Sequence, residues 1–175
     1  MVEMNGKILR DKKLTELKEK LGTLNCQLGL AVIQVGQDEA SKVYVKQKEK
    51  LALELGYKFI HKVFDEDVEQ DKLIRYIKKL NKDESIDGIL VQMPLPKHLD
   101  SSLIQNTIDS YKDVDGLTFI NAGRLVQGMP SLVPCTPKGI MDLLDEYKIK
   151  LEGSQVVVIG RSVLVGKPMA NLLTN

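Results

Sequence analysis

Cysteine and histidine are scarce in this chain. Its 175 residues hold two of each, Cys26 and Cys135, His61 and His98, far apart and without a Cys-x-x-Cys pair. That excludes a standard zinc site and points to a reducing, cytoplasmic compartment. An excess of either charge is lacking too. The net charge is +1, and no basic stripe is studded with aromatics, so the electrostatic footprint of a nucleic-acid partner is missing. No uninterrupted apolar run approaches the length of a membrane span, and the N-terminus carries no signal-peptide core. Internal repeats and low-complexity tracts are absent as well. What is present is ordinary globular material, 43% hydrophobic and 28% charged, enough for one core, and the length allows one domain or one domain plus part of another.

The pattern along the chain alternates. An amphipathic helix over 6–20 is followed by a near-continuously apolar strand over 28–35. A helix over 40–55 stops at Gly56, a strand covers 58–64, a helix 68–80, and a short apolar strand 88–92. Such alternation predicts right-handed βαβ units on a parallel sheet. Between 94 and 137 the chain turns irregular, with five prolines around one short helix near Leu103. A stretch of that kind inside a compact domain is usually functional or a linker. Thr136 and Pro137 then suit the N-cap and first position of a helix reaching about residue 147. Residues 155–160 read as a buried strand, followed by a helix with Pro168 in its first turn. One strand and one helix after 153 cannot enclose a core, yet they resemble the opening of a doubly wound domain. The remainder of such a domain is expected outside these residues.

One lysine stands out. On a wheel of about 100° per residue, Ser41, Tyr44, Lys48, Leu51, Ala52 and Leu55 share one arc, whereas Lys42, Lys46 and Lys50 face away. A lysine on an apolar face snorkels to water, finds an anion, or loses proton affinity through desolvation, and the last makes a base. Taken alone, the snorkelling reading is favoured.

Other segments carry chemistry of their own. Asp87-Gly-Ile-Leu-Val-Gln-Met-Pro-Leu-Pro96 ends a strand with Gln92 at its carboxyl tip, where open α/β sheets line their ligand crevice. The competing reading is a strand end with a solvated glutamine. In Lys112-Asp-Val-Asp-Gly116, Asp113 and Asp115 lack the further acidic ligands of a calcium loop. A carboxylate before glycine can instead take a donor pair from a heterocycle, or simply form a turn. Cys135 has no histidine near it in sequence and reads as a small packed residue. Gly160-Arg-Ser-Val-Leu-Val-Gly166-Lys-Pro168 lies between a strand and a helix, the context in which a glycine turn and a helix start bind phosphate. Its Gly-x5-Gly spacing departs from the dinucleotide fingerprint. Arg161 and Ser162 add groups suited to a phosphate monoester such as that of NADP.

In this order and spacing the motifs resemble the bifunctional methylenetetrahydrofolate dehydrogenase/methenyltetrahydrofolate cyclohydrolase family. The match is carried by Ser41-x-x-Tyr44-x-x-x-Lys48, the Asp87–Pro96 and Lys112–Gly116 segments, Asn121-Ala-Gly-Arg-Leu125, Pro134-Cys-Thr-Pro137 and Gly160-Arg-Ser162 with Val165-Gly-Lys-Pro168. The resemblance implies an α/β protein: an N-terminal three-layer, parallel-sheet folate domain over 1–137, a linking helix over 138–152, and the start of a Rossmann-type NADP-binding domain over 153–175. It implies Lys48 as the catalytic lysine, Tyr44 stacking on the folate, Gln92 bonded to Lys48, and Asp115 anchoring the pterin. Gly160, Arg161 and Ser162 would contact NADP. The implied partners are tetrahydrofolate derivatives, with no metal, nucleic acid or membrane, in a cytoplasmic homodimer. The family continues for roughly another hundred residues, more than half a typical domain. Two alternatives stand beside it. Short-chain dehydrogenases also use Tyr-x-x-x-Lys, but their glycine-rich turn precedes it. An inactive folate-binding fragment would keep one wall of the cleft without turnover.

Overall fold

The computed structural model describes residues 3–175, apart from the side chain of Ala40. The chain forms two compact units, residues 25–114 in one, and residues up to 24 together with 115–175 in the other.

The unit over 25–114 is built on three parallel strands in the order β2-β1-β3: β1 (Gly29–Val35), β2 (Lys58–Phe64) and β3 (Gly88–Val91). The crossovers are helices, α2 (Glu39–Glu54) between β1 and β2 and α3 (Gln70–Lys82) between β2 and β3. This is the parallel α/β arrangement that the alternation predicts. Both faces of the sheet are covered, which is why β1, apart from Gln34, and β3 are apolar rather than alternating. On one face Ala31, Ile33, Ile89 and Val91 meet Leu73, Ile77 and Leu80 of α3, with Ile104 from α4 (Ser101–Thr107). On the other face Val32 and Leu90 pack with Val45 of α2. The layers are therefore helix, sheet, helix.

Helix α2 has well-defined ends. Asp38 caps it by accepting the Ser41 amide at 2.7 Å, a bond that holds its carboxyl below the usual carboxylate range. At the other end Gly56 takes φ +78°, and Gly56 N and Tyr57 N donate to the carbonyls of Leu53 and Ala52. These are the two bonds of a Schellman stop, which needs a left-handed residue that glycine supplies without strain.

In the other unit, α1 (Gly6–Gly22) buries only Leu9 among its described residues, so the expected amphipathic helix is corrected. Its contacts with α6 (Cys135–Glu146) are polar instead. Lys12 meets Glu146 at 2.7 Å, Lys13 meets Asp142 at 3.3 Å, and Asn5 N donates to the Tyr147 hydroxyl at 2.8 Å. Helix α6 starts earlier than expected, with Pro134 at the N-cap and Pro137 in its third position, where a missing N–H still costs no helical bond. The irregular stretch also holds a second helix, α5 (Phe119–Val126), capped by Thr118, whose hydroxyl accepts the Asn121 amide at 3.3 Å.

Residues 155–160 form no strand, contrary to the pattern reading. Val157 is 85% and Ile159 99% exposed, and no ladder bond ties the segment to any described strand. Apolar, β-prone residues adopt the ladder only when a neighbouring strand supplies the partners, and this unit offers none. The segment instead borders an open groove of about 620 Å³ lined by Ile140, Leu144, Val165, Met169 and Leu173.

Candidate functional site

Lys48 and Gln92 are brought together. Lys48 lies in the third turn of α2, and its Nζ donates to Gln92 Oε1 at 3.1 Å. Gln92 follows β3, and its backbone N–H continues the ladder by donating to Ile33 O at 2.8 Å. Its own amide nitrogen donates to Met93 O at 2.8 Å, which leaves the oxygen to face the lysine. The lysine therefore rests against a neutral acceptor. Among the described residues it enters no ion pair. Both side chains are half-buried, at the carboxyl end of the sheet, where a parallel α/β fold opens its crevice.

Tyr44 stands one turn earlier on α2 and is 60% exposed, off the buried stripe. The stripe runs through Ser41, Val45 and Ala52. At about 100° per residue, Lys48 lies roughly 40° from the centre of that stripe and Tyr44 roughly 80° from it. Tyr44 thus presents a ring to solvent while Lys48 sits at the margin of the core.

The two aspartates of Lys112–Gly116 have different surroundings. Asp113 is fully buried, accepts from Gln105 Nε2 at 3.2 Å, and bridges its backbone to Ile89. Lys112 ties the same segment to the end of α3, its Nζ donating to Asp83 O at 2.8 Å and Leu80 O at 3.2 Å. Asp115 is half-buried and opens the second unit, followed by Gly116 with φ +64°. One carboxylate lies in the interior of its unit; the other is half-buried at the start of the next.

Gly160, Arg161 and Ser162 lie in the second unit, exposed, just before α7 (Gly166–Thr174). A side chain at Gly166 would overlap the Gly160 carbonyl, so glycine lets the turn and the helix start meet closely. Ser162 Oγ accepts from Val165 N at 3.1 Å and Gly166 N at 3.3 Å. With its lone pairs engaged by amides, the hydroxyl keeps its proton for donation to a ligand. Such an O–H beside an exposed guanidinium fits a phosphate group. The sequence reading named Ser162 as a ligand group and missed this capping role, which depends on the turn of the backbone.

Comparison with known proteins identifies the family. Residues 4–115 match the catalytic domain of tetrahydrofolate dehydrogenase/cyclohydrolase, and residues 134–175 match its NAD(P)-binding domain. The bifunctional protein FolD of Streptococcus uberis is 48% identical over 174 residues, covering 97% of this chain and 61% of that protein. The crystal structure of the bifunctional FolD methylenetetrahydrofolate dehydrogenase/cyclohydrolase from Campylobacter jejuni superposes with a TM-score of 0.95 at 46% identity, covering 98% of this chain and 62% of that one. The FolD structure from Trypanosoma brucei, solved with NADP cofactor and inhibitor, gives 0.93 at 32% identity, over 99% and 61% of the two chains. The chain thus spans about three fifths of the length of the relatives it matches.

Proposed function

Since the chain belongs to the tetrahydrofolate dehydrogenase/cyclohydrolase family, we propose that it carries the catalytic lysine of an enzyme of one-carbon metabolism. That enzyme oxidises 5,10-methylenetetrahydrofolate to the methenyl form, with NADP as acceptor, and hydrolyses the product to 10-formyltetrahydrofolate. The observation that carries the proposal is the Lys48–Gln92 pair, 3.1 Å apart at the carboxyl end of a parallel sheet.

The residues divide the work. Tyr44 offers its exposed ring to stack on the folate, and Asp115 accepts paired N–H donors from the pterin. Arg161 and the Ser162 hydroxyl hold a phosphate of the dinucleotide, with Gly160 giving it room. NADP supplies, when bound, the hydride acceptor of the oxidation. In the hydrolysis, water adds to the methenyl carbon as it gives one proton to Lys48, and the carbon–N5 bond then breaks as the formyl C=O forms. Lys48 passes its proton to N5 and the remaining hydroxyl proton is released to solvent, so the cation and water give the neutral formyl product plus one proton and Lys48 ends as it began. Gln92 contributes orientation: its oxygen accepts from Nζ at 3.1 Å and fixes where the amine points.

The functional division of the chain follows the same lines, with folate binding over 1–137, a linking helix over 138–152 and the cofactor turn within 153–175. A cytoplasmic location accords with two exposed cysteines, Cys26 and Cys135, that form no disulfide. Homodimeric assembly rests on the family resemblance, and sedimentation of the complete protein tests it.

The decisive assay follows NADP reduction with methylenetetrahydrofolate and, separately, the decay of methenyltetrahydrofolate absorbance, in the complete protein and its Lys48→Met variant. General acid–base assistance contributes on the order of 10²- to 10⁴-fold, so hydrolysis in the variant should fall by that factor with the fold intact. Undiminished hydrolysis by a folded Lys48→Met protein would remove the role given to this lysine. Folate binding with neither activity in the unsubstituted protein would instead favour a binding module.

A further inference from the structure

The central strand of the sheet carries a polar side chain that the proposed chemistry leaves unused. Gln34, next to last in β1, is 2% exposed within an otherwise apolar strand. A buried amide is tolerated only when both its ends are bonded. Gln34 Nε2 donates to Gly36 O at 3.2 Å, and its Oε1 meets His61 Nε2 of β2 at 3.2 Å. A backbone carbonyl only accepts, so the amide nitrogen must face Gly36 and the oxygen must face the imidazole. His61 must therefore carry a proton on Nε2.

Two further observations connect this amide to the Lys48–Gln92 pair. The bond from Gln92 N to Ile33 O extends the β1–β3 ladder by one step and sets Gln34 beside Gln92 on neighbouring strands, about 4.8 Å apart in backbone spacing. Val32 and Leu90, two residues before each, both pack on the α2 side, so the two glutamines share the face from which Lys48 reaches in. Gly36 is also clamped from both sides, its carbonyl by Gln34 and its N–H by Phe64 O at 2.9 Å. The Asp38 cap that starts α2 is two residues further on.

We propose that Gln34, locked by His61, is a positioning residue for the Lys48–Gln92 pair. Its amide pins the β1–α2 turn and thereby the rotation of α2 about its own axis, which decides whether Lys48 Nζ meets Gln92 Oε1. The inference rests on the reading of Lys48 as the group that assists hydrolysis.

The test uses the complete protein with three variants, and methenyltetrahydrofolate hydrolysis as the readout. Gln34→Leu removes both bonds while keeping side-chain bulk. His61→Phe, at a surface-exposed position, removes the donor alone, and His61→Gln restores one. A displacement of about 1 Å at a catalytic group costs on the order of 10²-fold, so kcat should fall by 10- to 100-fold in Gln34→Leu. KM should stay unchanged, because substrate contacts are untouched. His61→Phe should lose kcat in the same sense, and His61→Gln should recover it. If Gln34→Leu fails to fold, the two His61 variants decide. Wild-type kcat in Gln34→Leu, or equal kcat in His61→Phe and His61→Gln, overturns the inference. Because each variant is compared with an active wild type, that failure is distinct from failure of the proposed function, which would appear as an inactive wild type.

Discussion

Replacing Asp113 and Asp115 with alanine, one at a time, separates a carboxylate that holds the fold from one that holds the substrate. Asp113 is fully buried and takes a hydrogen bond from Gln105 Nε2 at 3.2 Å, within the unit over 25–114. Its removal leaves a buried amide donor without that acceptor, at a cost of about 1–3 kcal/mol. For a chain of this size each kcal/mol lowers Tm by roughly 2–4 °C, so the loss is about 2–12 °C. Asp115 is half-buried, and its removal is read in binding. What it removes is a charge-assisted contact to the pterin, about 1.5–3 kcal/mol. At 1.36 kcal/mol per decade, that is roughly a 10- to 150-fold rise in folate Kd. Thermal melts without ligand, paired with folate titrations by fluorescence or calorimetry, read the two effects separately. The expected pattern separates the two: Asp113→Ala melts low and binds nearly normally once folded, and Asp115→Ala binds weakly. Equal losses of affinity, or the larger loss in Asp113→Ala, would mean that the wrong carboxylate has been assigned to the pterin.

Two further outcomes test other parts of the structure. In hydrogen exchange on the 175-residue chain, amides of Val156 to Ile159 should exchange fast while those of Leu30 to Val35 stay protected, because only the latter sit in a ladder; equal protection in a monomer would contradict the unpaired segment. The Asp38 cap gives a pH dependence: its folded carboxyl is held below the ordinary value by the Ser41 amide, so its stabilisation is present above the unfolded pKa and is lost as pH falls through the folded one. Acid melts below about pH 4 should therefore cost wild type more stability than Asp38→Asn, whose cap does not titrate, and parallel acid losses in the two proteins would remove the cap from the argument.

Much of this protein is decided by local pattern. The three parallel strands, the helices between them and the stop at Gly56 follow from periodicity and turn chemistry, because a strand covered on both faces must be apolar throughout and a Schellman stop needs a left-handed residue. The order of the short motifs, from Tyr44 and Lys48 to Gly160-Arg-Ser162, carries the family before any coordinate is known. Helix α5 lay within reach of the sequence as well, since Thr118 is a good N-cap before eight residues free of proline.

Other features depend on partners distant in the chain. Tyr44 and Val45 are neighbours in sequence, and only packing against Val32 and Leu90 decides that the valine goes in and the tyrosine out. Asp113 and Asp115 look alike until Gln105, eight residues away, approaches the first of them. The run over 155–160 has the composition of a core strand but lacks a neighbour, and composition cannot supply hydrogen-bond partners. Gln34 is the clearest case. A lone glutamine in an apolar strand is visible in the sequence, but what it does is set by His61, 27 residues on, and by the register that lays Gln92 beside it. The sequence determines which segments become strands and helices, because those propensities act over a few residues. Tertiary structure decides which polar groups meet, because that depends on the register and rotation of elements that touch only after the chain has closed on itself.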